Sequence, residues 1–181
     1  MLTIQTAPVG GDHVTNDIHL VTHIPWSKAE VIKKTEGDAS GDPERSKGTL
    51  TVSDEAGFPE VEIKRQILND VIRWRLKETL TLVKRRLPDG MLERVGTGVF
   101  LTGGTSLMKG FGELACDVFG LPVYRPEQPE VSGVHAYFKD PQYSTALGLI
   151  RYAQILDEER AEEHGVGKVG DFIRSLWPFG G

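Results

Sequence analysis

The sequence predicts an α/β fold, and three observations carry that expectation. An apolar run, Val99-Phe100-Leu101, passes into the glycine pair Gly103-Gly104 and then into the polar start of a helix. Segments rich in β-type residues at 49–52, 97–101 and 121–124 alternate with stretches of helical period. The longest of these, 60–87, carries Ile63, Ile67, Val71, Leu76, Leu80, Val83 and Leu87, and its length, about 40 Å at ~1.5 Å per residue, would cross a whole domain.

The remaining elements follow in chain order. Residues 2–9 hold enough β-type side chains for an edge strand that stops at Pro8 and the Gly10-Gly11 turn. Two short helices are predicted at 15–24 and 27–36, separated by Pro25, with Ser27 capping the second. Residues 37–47 are polar and read as a loop before the strand at 49–52. Pro88-Asp89-Gly90 ends the long helix. After the strand at 97–101, a helix is expected at 106–119, then a short strand at 121–124 and a proline-bearing loop. Asp140 and Pro141 suit the cap and first position of a closing helix, with Ala146 and Gly148 placed for close packing. Ile67 and Leu80 are expected in the core, and Cys116 is expected to be a buried structural thiol.

The charged run Asp157-Glu158-Glu159-Arg160-Ala161-Glu162-Glu163 has nothing to bury, so the globular part is expected to span 1–156, followed by a charged linker at 157–165. Beyond it, residues 166–181 form an amphipathic tail with Val169, Phe172, Ile173, Leu176 and Trp177 on one helical face and Phe179 close behind. A face rich in Phe and Trp after a charged linker reads as an interfacial membrane helix, with Lys168 and Arg174 its only basic residues.

Composition narrows the function classes. With 181 residues, 39% hydrophobic and 26% charged, the chain can build one domain with a sizeable core, or one domain and a tail. A net charge of −5 and the lack of a basic, aromatic-laced stripe argue against nucleic-acid binding. The single cysteine excludes an internal disulfide. His19 and His23 are spaced i, i+4, but the pattern lacks the third ligand and glutamate of a zinc site, so no metal ligand is assigned. No nucleophile and base pair can be picked from the 26 acidic residues and five histidines, and no catalytic residue is assigned.

Four blocks share one resemblance. The segment from Val99 to Val123, with Gly103-Gly104 at its centre, resembles the adenosine motif of the actin and heat-shock ATPase superfamily, most closely its FtsA branch of bacterial division proteins. Val9-Gly10-Gly11-Asp12-His13-Val14-Thr15-Asn16-Asp17-Ile18 resembles the turn and helix after the second phosphate loop of that branch. Ala29-Glu30-Val31-Ile32-Lys33-Lys34 is similar to its "AE.IK" helix, and Tyr143-Ser144-Thr145-Ala146-Leu147-Gly148-Leu149-Ile150-Arg151-Tyr152-Ala153 to its closing segment. The resemblance implies an actin-like, ribonuclease-H-like ATPase fold, present as its second half with a small helix-bearing subdomain.

It also implies a site and a role. Gly103 and Gly104 would pass backbone close to adenine, with Leu107 packed on its face. Glu30 and Lys33 would reach the ribose and base edge, and Gly10 and Gly11 would approach the sugar-phosphate side. Both phosphate-holding hairpins lie before Gly10 in that family, so the sequence reads as its carboxy-terminal two-fifths or so. ATP with Mg2+ is then expected in the complete protein, and weak ATP binding by this chain alone. The implied role is a self-associating adaptor that ties the FtsZ polymer, through the FtsZ tail, to the anionic cytoplasmic face of the cell membrane at the division site. Weak ATPase activity is the most the resemblance allows. A pilus-assembly adaptor and part of a sugar or acetate kinase are the competing readings, and the tail argues against the kinase.

Overall fold

The computed structural model describes residues 4–53, 59–126 and 140–176, with 161–176 as backbone. Two compact units divide the chain, Met1–Glu127 and Gln128–Gly181.

The first unit is built on helix packing. Helix α1 (Gly11–Thr22) packs on α2 (Trp26–Glu36) and on the long α3 (Arg65–Arg86); the single-turn α4 (Met91–Arg94) follows, and α3 packs in turn on α5 (Phe111–Phe119). Their shared core contains Val14, Ile18, Ile32, Leu68, Ile72, Leu76, Leu80 and Leu114. A bidentate ion pair ties α3 to α1, with Arg75 Nε 2.5 Å and Nη2 3.0 Å from the two Asp17 oxygens. The antiparallel strands β1 (Thr49–Val52) and β2 (Val61–Lys64) close one side, pairing Leu50 with Ile63 and turning both inward.

Several expected boundaries move. Residues 61–64, expected as the first turn of the long helix, form β2, because β1 needs a partner for its backbone groups. The period-two burial along β2, with Ile63 inward between exposed Glu62 and Lys64, is a strand pattern. Ile67, expected in the core, is 43% exposed. The buried face of α3 is the i, i+4 series Leu68, Ile72, Leu76, Leu80. Helix α2 begins at Trp26, with Pro25 as its cap residue and Ala29 N–H donating to the Pro25 carbonyl, so Ser27 lies inside the first turn and caps nothing. Of residues 2–9, those described form no strand, and Ile4 is exposed.

Strands β3 (Val99–Phe100) and β4 (Val123–Tyr124) are parallel and shorter than expected, with Val99 N–H donating to Pro122 O and Leu101 N–H to Tyr124 O at 2.8 Å. The connection between them is a 3-10 turn (Gly104–Leu107) followed by α5, where one helix was expected. Gly110 causes the break. Its φ of 72° is left-handed, and a Cβ there would lie 2.0 Å from the Ser40 amide nitrogen. The polar loop after α2 is anchored at this point: Asp38 bridges Lys109, Ala39 N–H donates to Lys109 O, and Arg73 binds the Ala39 and Ser40 carbonyls. Cys116 is exposed, because α5 buries Phe111, Leu114, Ala115 and Phe119 on its other face.

In the second unit, Asp140 accepts from Gln142 N–H and Pro141 opens a 3-10 turn (Pro141–Tyr143), which leads into α6 (Ser144–Leu176). Leu147 is buried, whereas Ala146 and Gly148, expected at close contacts, are exposed and a Cβ on Gly148 would touch nothing. The stretch 157–165, expected as a linker, is helical backbone within α6, as its Glu, Arg and Ala residues favour. The tail residues Val169, Phe172, Ile173 and Leu176 lie on the same helix, while Trp177 and Phe179 fall outside the described residues.

Candidate nucleotide cleft

Three elements that are distant in sequence meet at the start of α1. The Gly10-Gly11 turn opens that helix, and Gly10 N–H takes the His13 ring nitrogen at 3.2 Å as its acceptor. A Cβ on Gly11 would sit 3.2 Å from Thr105 Oγ1 and 3.6 Å from Lys33 Nζ. Both distances are tight or in contact, so the turn, the α2 helix and the loop after the glycine pair lie against one another. The structure thus brings together Gly11, Lys33 and, through Lys33, Glu30.

Electrostatics are concentrated at that junction. Lys33 is 7% exposed, and its ammonium donates to Glu30 Oε2 at 2.5 Å, Thr15 Oγ1 at 2.8 Å and Gly11 O at 3.2 Å. Glu30 Oε2 also accepts from Thr15 Oγ1 at 2.5 Å, and its Oε1 pairs with Lys34 at 2.9 Å. Burial pushes the Glu30 carboxyl pKa up, but hydrogen bonds from Lys33, Thr15 and Lys34 and the Lys33 charge outweigh it, lowering the pKa from 4.5 to about 2. Glu30 therefore stays ionised through the physiological range.

The glycine-pair loop has the backbone its sequence asks for. Gly103 holds φ 85°, a left-handed value suited to glycine, and a Cβ there would meet nothing. Its carbonyl accepts from both Ser106 N–H and Ser106 Oγ. Gly104 is exposed at the start of the 3-10 turn, and Leu107 at its end is 48% exposed. Gly10 is exposed, with open space around its Cβ position. An exposed apolar side chain beside bare glycine backbone, with a fixed polar network next to it, is suited to a flat ring carrying a polar substituent.

Sequence reasoning missed two residues of this junction, Thr15 and Thr105. Thr15 is fully buried and bonded to Glu30 and Lys33. Its signal was present: it stands four residues after Gly11, on the same face of α1 as Val14 and Ile18, which are also buried. Thr105 directly follows the glycine pair, where a hydroxyl can approach the neighbouring turn. Among the described residues, no group of His, Cys, Asp and Glu side chains could hold a metal ion.

The family profile described as "Cell division protein FtsA" matches residues 1–148. The chain belongs to the FtsA family. It is 36% identical to the cell division protein FtsA of Pseudomonas aeruginosa, over 80% of this chain and 35% of that protein. With its Escherichia coli K12 counterpart the identity is 31%, over 95% of this chain and 44% of the other. The chain thus spans less than half the length of these two relatives. Among solved structures, MreB5 of Spiroplasma citri bound to ADP superposes with a TM-score of 0.65 at 16% identity, covering 86% of this chain and 47% of that one. The same protein bound to AMPPNP gives 0.63 at 17% identity. The fold is therefore a partial actin-like one, as expected, and family membership supports a role in cell division.

Proposed function

We propose that this chain acts as part of an FtsA-type adaptor that binds ATP with Mg2+, associates with copies of itself and tethers FtsZ to the inner face of the cell membrane. The convergence of the Gly10-Gly11 turn, the Glu30–Lys33 pair and the Thr105 loop carries the nucleotide part of this reading. In it, Gly10, Gly11, Glu30, Lys33, Gly103, Gly104 and Leu107 form the adenosine side of the cleft. Phosphate groups normally take much of their affinity from backbone N–H groups and a metal ion. The residues gathered here supply mainly the nucleoside side, so the chain by itself binds ATP weakly. Self-association and attachment to the anionic membrane surface, through Val169, Phe172, Ile173, Leu176, Trp177 and Phe179, follow from family membership and the apolar face of the tail.

For the FtsZ tail, α3 offers an anchor. Ile67 and Trp74, 43% and 73% exposed, stand seven residues apart and so share one helix face. A large exposed tryptophan with an aliphatic residue two turns away on the same face is the type of surface on which a short peptide anchors. The test is fluorescence anisotropy of a labelled FtsZ tail peptide titrated with the chain. Trp74→Ala is expected to weaken binding by about tenfold or more. Equal affinity for the variant removes Trp74 from the docking site, and no binding to the unsubstituted chain overturns the tethering role.

A further inference from the structure

We propose that Thr15 is a positioning residue of the nucleotide cleft, whose hydroxyl locks the Glu30–Lys33 pair of α2 onto the backbone of the Gly10-Gly11 turn. The proposal rests on the nucleotide reading given above, and it follows from an account of donors and acceptors. An ammonium group has three N–H donors, and Lys33 places all three, on Glu30 Oε2, Thr15 Oγ1 and Gly11 O. A hydroxyl donates one hydrogen and accepts others. The Thr15 hydroxyl accepts from Lys33 and donates to Glu30 Oε2, with the Gly11 carbonyl a longer second acceptor at 3.2 Å.

Thr15 is thus the one side chain of α1 that bonds to both members of the α2 pair among the described residues. It has no exposed surface, and Lys33 is nearly as buried, so water cannot readily replace a lost bond there. With its N–H groups committed, Lys33 serves the cleft by holding the Gly11 carbonyl in place. Gly11 in turn lies against Thr105 of the glycine-pair loop, so a displaced turn would shift the surface next to the adenine face. Preorganisation of this kind governs affinity without any contact between Thr15 and ligand.

A purely space-filling threonine is separated from a positioning one by two substitutions. Thr15→Val keeps the volume and removes the hydroxyl; Thr15→Ser keeps the hydroxyl and removes the methyl group. The 181-residue chain is first exposed, without nucleotide, to an amine-acetylating reagent, and modification of Lys33 is followed by peptide mass spectrometry. Lys33 is expected to react about tenfold faster in Thr15→Val than in the unsubstituted chain, and at near the unsubstituted rate in Thr15→Ser. Millimolar ADP is then titrated while the amide resonances of Gly11 and of residues 103–105 are recorded. Thr15→Val is expected to weaken ADP binding by about tenfold, with Thr15→Ser restoring most of it.

Unchanged Lys33 reactivity in Thr15→Val overturns the lock, and unchanged ADP affinity in that variant overturns the positioning role. If the unsubstituted chain shows no ADP-induced shifts, the nucleotide reading fails, while Lys33 reactivity still decides the lock separately. Should Thr15→Val not fold, Thr15→Ala removes the same hydroxyl and allows the same comparison.

Discussion

At the scale of single residues, the Glu30 carboxylate makes a prediction about acid. Its folded pKa is lowered, from 4.5 to about 2, so its contribution to stability is fully present above about pH 4.5 and is lost as pH falls towards 2. In thermal unfolding followed across that interval, the unsubstituted chain is expected to lose roughly 2 kcal/mol more than Glu30→Gln, which has no proton to take up there. Parallel loss in both proteins would show that the Glu30 pairing does not survive in solution. Much of this junction was legible in the sequence, because glycines before a helix and an i, i+3 Glu–Lys pair are local patterns. The direction in which Glu30 and Lys33 point was not. Their burial depends on α1 lying across α2, and Thr15, Gly11 and Thr105 are brought to them by tertiary packing.

Among elements, α3 shows how a helical period can be recognised while its phase is misread. Ile67 and Val71 are four apart, as are Leu76 and Leu80, but Val71 to Leu76 is a step of five. At 100° per residue those two pairs lie on different sides of one helix. Packing against α1 and α5 selects the side of Leu68, Ile72, Leu76 and Leu80. Ile72→Asp therefore places a carboxylate in the core and is expected to cost several kcal/mol, comparable to the stability of a domain of this size. Ile67→Asp, on the exposed face, is expected to change stability by less than about 1 kcal/mol. Urea denaturation of both variants checks the pair, and two equally destabilised proteins would mean that Ile67 is covered in solution. The β1–β2 hairpin was half legible for a related reason: 49–52 has strand composition, but 61–64 carries the long helix's apolar spacing, and only the need of β1 for a partner separates them.

For the whole molecule, the order of four motifs along the chain was legible from the sequence, and the match over residues 1–148 and the actin-like superposition agree with it. How the proposed membrane tail would work is a matter of magnitudes. Helix α6 carries its backbone unbroken through the charged stretch to Leu176, so Val169, Phe172, Ile173 and Leu176 stand on one face of a continuous helix. Full burial of a large apolar side chain contributes roughly 1.5 to 3 kcal/mol, but a helix lying in the headgroup region buries each only in part. Lys168 and Arg174 add about 1 kcal/mol each near anionic lipid, and Asp171 opposes them. On the membrane role proposed above, one tail would hold a monomer only marginally, and firm attachment would require several tails on one assembly, because linked sites act at high effective concentration. Membrane residence would thereby be coupled to self-association. Co-sedimentation with anionic vesicles tests this, using the intact chain, a chain ending at Glu163 and the Phe172→Glu/Trp177→Glu double variant, each fused to a monomeric or a tetrameric carrier. The intact tetramer is expected to pellet far more than the intact monomer, and neither altered form should pellet. If the chain ending at Glu163 pellets as well as the intact one, the apolar face of the tail is not a membrane surface, and attachment must arise elsewhere in the molecule.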